Sequence, residues 1–342
     1  MQKWEEFNEL IHSDSKRFVL LTHQNPDADA IGSSLGWKMY LQKKGHQAVV
    51  IIPNECPSNL RWMPDYAEVI TFDETNDTKA QSKALLAEAD VVCCLDFNAL
   101  HRIKELGALT QASPAQKVLI DHHLEPEDFA DFVFSDTSKA ATAQYVVDII
   151  KALGDAHLID QPMAECLYAG IMTDTGSFAH NNTTEAVHLA VAELMRTGLN
   201  INKVHRSIFD NNSLGRTRLL GYVLSEKMKV LPEYRTVYMT LSQAELRRFN
   251  SEIGDTDGIV NYGLSIENIV MAVLAIERRD EIKLSFRSVG DFSVRDLAHA
   301  HFDGGGHRNA SGGRTNTTLE KTVEKLMAAL PNYQAELLEV KK

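Results

Sequence analysis

The chain has 342 residues, 44% of them apolar and 24% charged, which suits two ordinary folded domains. Its formal net charge of −12 excludes generic binding to long nucleic acid, which needs many Lys and Arg side chains on phosphates. It leaves room for a small phosphate-bearing ligand whose charge is met by bound divalent cations. The four cysteines, Cys56, Cys93, Cys94 and Cys166, form no C-x-x-C pair and are expected as buried, reduced thiols. Residues 1–12 carry acids and no apolar leader core, and no apolar run approaches the roughly 20 residues of a membrane helix. A cytoplasmic protein of enzyme size, with no membrane partner, is the expectation.

In chain order, "FVLL" (18–21) reads as a buried strand and "AIGSSLGWKMYLQKKG" (30–45) as a helix closed by Gly45. "AVVII" (48–52), "VVCCL" (91–95) and "KVLI" (117–120) read as further buried strands, and "TSKAATAQYVVDIIKALG" (137–154) as a helix ending at Gly154. Helices are expected over 163–174 and 183–198. Apolar strands alternating with helices argue for a doubly wound parallel sheet covered on both faces. Residues 201–230, polar and then helical, are expected as a helical linker between a first domain (1–200) and a smaller α/β domain (231–342). In the latter, 234–242, 269–278 and 281–288 read as strands, and 294–301 and 320–330 as helices.

Each polar cluster of the first half follows an apolar strand or helix. His23, Asp27 and Asp29 follow "FVLL"; Asp96 follows "VVCCL"; Asp121, His122 and His123 follow "KVLI"; Asp174 follows "AGIMT". Ligands of an open parallel sheet bind at the carboxyl ends of its strands, so these distant residues are predicted to converge on one cleft. Two imidazoles and four carboxylates without thiolate suit Mn²⁺ or Mg²⁺ better than structural zinc. Two divalent ions would relieve the repulsion among so many acids and are a device for hydrolysing phosphate esters. A calcium loop starting at Asp27 fails in register, since Ile31 and Lys38 fall where oxygen ligands are needed. Two blander readings stand beside the metal reading: Asp29 as the N-cap of the helix over 30–45, and His122-His123 as surface residues.

"HQNPDADAIGS" (23–33), the Asp96 cluster, "DHH" (121–123) and "GIMTDTGSF" (170–178) resemble the four motifs of the DHH phosphoesterase superfamily. "GGGHRNASGG" (304–313), with "LSFRS" (284–288) before it, resembles its associated C-terminal domain. Length and domain pairing resemble the NrnA-like branch, whose members are oligoribonucleases and phosphatases of 3'-phosphoadenosine 5'-phosphate (pAp). The resemblance implies an active site in the interdomain cleft and two Mn²⁺ ions, with Mg²⁺ or Co²⁺ as alternatives. It assigns His23 and Asp27 to one ion, Asp29, His122 and Asp174 to the other, and Asp96 to both. It places His123 beside the substrate phosphate and leaving group, with Asp121 orienting the neighbouring histidines.

Taken alone, Gly304, Gly305 and Gly306 suit either a flexible turn or a close backbone approach to an anion, and they match neither G-x-G-x-x-G nor G-x-x-x-x-G-K-[ST]. The resemblance makes this loop and His307 the grip on a terminal nucleotide, with Arg287 offering a guanidinium to phosphate. Arg308 and Arg314 are expected to face solvent. Many relatives carry a fourth glycine where this chain has Asp303, a carboxylate expected to weaken the grip or alter selectivity. The implied substrates are short RNA and mono- or dinucleotides, not duplexes. Alternatives are a pApA or cyclic di-AMP phosphodiesterase, a family-II pyrophosphatase, a RecJ-type exonuclease and a non-catalytic nucleotide-binding module. The oligomeric state is open, relatives often being homodimers.

Overall fold

The computed structural model describes residues 2–72, 77–252 and 254–342, and its contacts divide the chain into residues 1–211 and 212–342. The first unit runs α1 (Gln2–Ile11), β1 (Arg17–Leu21), α2 (Ala28–Lys43), β2 (Gln47–Ile52), β3 (Ile70–Thr71), α3 (Asp77–Glu88), β4 (Val91–Leu95), α4 (Glu105–Ala112), β5 (Gln116–Asp121), β6 (Phe132–Ser135), α5 (Thr142–Ala152), α6 (Gln161–Asp174), α7 (Glu185–Met195) and α8 (Ile201–Phe209). Its strands form one parallel sheet in the order β3-β2-β1-β4-β5-β6. The strands are apolar throughout because both faces are covered. Leu20, Val50, Cys93 and Ile120 face a core shared with α2, α5 and α6, whereas Val19, Ile51, Cys94 and Leu119 face Leu86 of α3 and Leu106 of α4. All four cysteines are buried and free.

The order reverses between β1 and β4, and crevices for ligands open at such switch points. Leu21, the last residue of β1, pairs with Cys94 of β4, and Leu95 with Ile120 of β5. The three loops leaving these strands therefore start at one level. α2 lies close against α6 because both carry glycine at the contact. A Cβ at Gly32 would strike the Cys166 carbonyl, and one at Gly170 would stand 2.6 Å from Asp29 Oδ1.

Two elements depart from the sequence expectation. The helix expected over 137–154 starts only at Thr142, because its first amides are held by a distant carboxylate, that of Asp29. The segment expected as a linker is divided: α8 packs Val204 and Ile208 into the first core, and α9 (Leu214–Tyr222) packs Leu219 into the second unit.

The second unit continues with β7 (Lys229–Leu231), β8 (Thr236–Leu241), α10 (Gln243–Arg248), α11 (Asn261–Leu264), β9 (Met271–Glu277), β10 (Ile282–Ser288), α12 (Val294–His301), β11 (Gly305–His307), β12 (Ala310–Thr315), α13 (Leu319–Ala329) and α14 (Gln334–Glu339). Its sheet, β11-β12-β10-β9-β8-β7, is antiparallel except for the β8–β9 pair. Side chains alternate across it. Leu284 and Phe286 of β10 join Leu297 of α12 and Leu326 of α13 in one core; Ala272 and Leu274 of β9 join Leu219 and Ile259 in the other. The glycine-rich stretch, open to reading as a flexible turn, is the β11–β12 hairpin. The first unit carries 17 Lys and Arg against 30 Asp and Glu, the second 18 against 17, so the acidity of the chain belongs to the first unit. Among the described residues no helix is long and apolar enough to cross a membrane.

Candidate metal centre

The loop after β1 turns on Asn25, in the left-handed region at φ +55°, before Pro26 sets up the entry to α2. Asp27, not Asp29, is the N-cap of that helix: its Oδ1 accepts from the Asp29 and Ala30 amides at 3.1 and 3.0 Å. Its Oδ2 lies 3.9 Å from His23 Nε2. Asp29, two residues on, is fully buried. It accepts from Thr142 N (2.6 Å) and Ala143 N (2.8 Å) at the start of α5, where the helix dipole favours a negative charge.

Asp96 follows β4 in a left-handed conformation, φ +65°, which turns its carboxylate into the crevice. Oδ2 faces His23 Nε2 at 3.3 Å, and Oδ1 faces His122 Nε2 at 3.5 Å and accepts from Thr142 Oγ1 at 3.0 Å. One carboxylate thus stands between two imidazoles. Both rings are fixed from behind, His23 Nδ1 on the Gln24 carbonyl at 2.9 Å and His122 Nδ1 on the Lys139 carbonyl at 3.2 Å. A carbonyl only accepts, so each Nδ1 carries a proton and Nε2 is the atom each ring turns toward the acids. Asp174, at the end of α6, lies 3.5 Å from His122 Nε2.

The donor atoms of His23, Asp27 and Asp96 lie within 4.8 Å of one another, and so do those of Asp29, His122 and Asp174. The sequence-predicted ligands are brought together in two sets, with Asp96 facing both. His123 stands beside them, its Nδ1 3.8 Å from Asp96 Oδ1. Its Nδ1 donates to Asp121 Oδ1 at 2.7 Å, and Asp121 is fully buried. Asp121 thus orients His123, and the Lys139 carbonyl holds His122.

The electrostatics are those of a cation site. Burial, then Asp96, Asp174 and Asp27, push the Asp29 carboxyl well above the usual carboxylate range. Burial and the charges of Asp27 and Asp96 do the same to Asp174. Asp96 goes the other way: burial opposes it, but the His23 hydrogen bond and the three histidine charges hold it below the usual range. Burial would lower His23, yet the Asp96 hydrogen bond and the Asp27 and Asp96 charges raise it. Positive charge is what relieves this cluster, and divalent cations supply it.

Sequence reasoning missed Thr142, whose amide and hydroxyl serve Asp29 and Asp96, and the carbonyls of Gln24 and Lys139. Apart from the Thr142 hydroxyl, these are backbone groups, which leave no residue signature.

In the second unit, Arg287 of β10 pairs with Ala310 and Ala310 with His307; beside them Ser285 pairs with Gly312 and Gly312 with Gly305. Directly paired residues share a face, so Arg287 and His307 flank a glycine floor. Gly305 has open space where a side chain would stand, and Gly312 has nothing nearer than 3.8 Å. Gly304 and Gly306 are required by the hairpin itself, since a Cβ on either would strike the backbone of β12. Arg287 is half-buried; burial lowers its pKa, against the Asp257 charge. Asp303 adopts φ +44°, a backbone that favours glycine. Its carboxylate accepts from Arg314 Nε at 2.8 Å, both side chains being exposed. The added charge is thereby met on the surface.

Comparison with known proteins matches residues 17–171 to the DHH family, N-terminal domain, and residues 236–336 to the DHHA1 domain. A crystal structure of an exopolyphosphatase-related protein from Bacteroides fragilis is 38% identical, with a TM-score of 0.93 over 99% of this chain and 98% of that one. A bifunctional oligoribonuclease and PAP phosphatase NrnA of Thermus thermophilus is 29% identical over 96% of this chain and 94% of its own length. Its Bacillus subtilis namesake is 25% identical over 86% and 88%. The RecJ structure from Thermus thermophilus in complex with Mn²⁺ shares the fold, with a TM-score of 0.52 at 13% identity over 98% of this chain and 55% of that one.

Proposed function

We propose, since the chain belongs to the DHH superfamily as an NrnA-like member, that it is a divalent-metal-dependent phosphoesterase acting on short oligoribonucleotides and on pAp. It is a hydrolase of phosphoric ester bonds; with pAp and water as reactants the products are AMP and phosphate. The observation that carries this reading is the position of Asp96, one carboxylate shared by two ligand sets, each with its own imidazole and acids. Such a nitrogen and oxygen donor set suits two Mn²⁺ ions, with Mg²⁺ or Co²⁺ as alternatives. A pair of divalent cations supplies charge to the phosphoryl oxygens and lowers the pKa of water.

The residues of this chain do the rest. His23, Asp27, Asp29, Asp96, His122 and Asp174 hold the cations. Asp121 keeps the His123 Nδ1 proton in place, so that Nε2 is the atom that delivers a proton to the leaving oxygen. Arg287 and His307 hold the phosphate of the terminal nucleotide, and the bare backbone at Gly305 and Gly312 admits it closely. The near-neutral balance of the second unit, set against the acidic first unit, supports that division of labour. Buried free cysteines support a reducing, cytoplasmic setting.

The test is a Mn²⁺-dependent substrate panel of pAp, pApA, cyclic di-AMP, short RNAs and pyrophosphate. Release of AMP from pAp and of mononucleotides from short RNA is expected. Turnover of pApA or cyclic di-AMP alone would replace this reading with a dinucleotide phosphodiesterase, and hydrolysis of none would overturn it.

A further inference from the structure

Behind the ligands stand three asparagines with a common habit. Each spends its side-chain amide on the backbone of a metal-carrying loop. Asn54, in the loop after β2, accepts from Asn25 N at 2.7 Å and donates to Asn25 Oδ1 at 3.2 Å. It thereby pins the left-handed residue that launches Pro26 and Asp27. Asn98, two residues beyond Asp96, donates from its side chain to the carbonyls of Leu124 (2.8 Å) and Glu125 (3.3 Å), while its backbone carbonyl accepts from Glu127 N at 2.8 Å. Glu127 returns a carboxylate to Leu100 N at 3.0 Å. The Asp96 loop and the His122-His123 loop are tied by a closed set of hydrogen bonds. Asn182 donates to the carbonyls of Asp174 (3.1 Å) and Ala140 (3.3 Å), joining the last ligand to the loop whose Lys139 carbonyl holds His122.

The ligands themselves repel one another, and their loops run on past the last strand bonds, such as Asp96 N to the Ile120 carbonyl at 3.0 Å. Something neutral must fix loop against loop without adding charge or taking up a ligand atom. A carboxamide does so, having donors and an acceptor but no charge. We propose that Asn54, Asn98 and Asn182 are positioning residues of the metal centre, and that they divide the work. Asn54 serves the His23 and Asp27 ion, Asn182 serves the Asp29, His122 and Asp174 ion, and Asn98, which sets the shared carboxylate against His122, serves both. This rests on the dinuclear reading above.

The experiment is a Mn²⁺ titration of the full, metal-stripped chain by calorimetry, with thermal midpoints and kcat measured across Mn²⁺ concentration. The variants are Asn54→Ala, Asn98→Ala and Asn182→Ala, with Asp96→Ala as a ligand control. The parent is expected to take two ions. Asn54→Ala and Asn182→Ala each weaken one of the two, by roughly tenfold or more, and leave the other. Asn98→Ala weakens both, and excess Mn²⁺ restores kcat in all three; loss of one ion with the other unchanged is what a merely loosened fold would not show. Asn182 is exposed, so its variant keeps the proposal testable if Asn98→Ala fails to fold. A parent that binds two ions, with variants that bind them equally well, would overturn this inference alone. Equal weakening of both ions in Asn54→Ala and Asn182→Ala would overturn the division of work. A parent that takes up no ion, or an Asp96→Ala protein that binds like the parent, would overturn the dinuclear reading and this inference with it.

Discussion

Gly170→Ala sets two well-known effects against each other. Gly170 lies inside α6, where exchanging glycine for alanine gains about 1 kcal/mol of helix propensity. Its new Cβ would stand 2.6 Å from Asp29 Oδ1, 2.8 Å from Ala143 Cβ and 3.0 Å from Asp29 Cα. Ordinary contact begins at about 3.5 Å, so α6 or its neighbours must yield by close to 1 Å. Neither neighbour is a flexible tip: Asp29 is fully buried and bonded to two amides, and Ala143 belongs to the helix turn that supplies them. Overpacking of that kind costs about 1–3 kcal/mol, which outweighs the propensity gain. The expected result is a lower thermal midpoint. Because a ligand displaced by about 1 Å costs on the order of 100-fold in rate, kcat at saturating Mn²⁺ should fall by that factor. The assay is hydrolysis of pAp with a melting curve on the same preparation. A Gly170→Ala protein that melts higher than the parent and turns over at the parental rate would refute the claim that the α2–α6 approach sets the position of Asp29.

Three further outcomes follow from other parts of the molecule. Asp96→Ala should abolish Mn²⁺-dependent hydrolysis with secondary structure intact by circular dichroism; undiminished turnover would remove the shared carboxylate from the mechanism. Arg287→Ala should raise KM for nucleotides with kcat nearly unchanged, and an unchanged KM would take Arg287 out of the substrate grip. The third outcome concerns Glu245 of α10, whose carboxyl burial alone would raise. Bonds from Lys227, the Ser242 amide, Tyr222 and the Ser242 hydroxyl instead bring it from 4.5 to about 2. A depressed carboxyl adds stability above its unfolded value, and that stability drains away as pH falls from about 4.5 through about 2. Discounted for the solvent that screens this partly exposed group, it amounts to on the order of 1 kcal/mol at neutral pH. Urea midpoints of parent and Glu245→Gln should therefore differ at pH 7 and converge toward pH 2; a difference that persists in acid would contradict this account.

How legible all this was in the sequence depends on what carried each feature. The strands of the first unit were plain because burial on both faces makes them unbroken apolar runs, as at Val91–Leu95. The residues after such runs sit at the carboxyl end of the sheet whatever the details. That is why His23, Asp96, Asp121 and His122 could be placed in one crevice from order alone. The hairpin of β11 and β12 escaped because Gly305, Gly306, Gly312 and Gly313 have no side chains to show alternation. The start of α5 escaped because its cap is Asp29, more than a hundred residues upstream, and no local pattern records a cap of that kind. The division between Asp27 as helix cap and Asp29 as buried anchor turns on which way each side chain leaves the first turn of α2, a matter of two helical steps, about 200°. Ligand identity is thus written in residue type and in position after a strand, whereas ligand placement is written in backbone amides, carbonyls and neutral carboxamides. That asymmetry has a physical source: a cation selects its donors by charge and atom type, but a loop is held in place by any group that completes its hydrogen bonds.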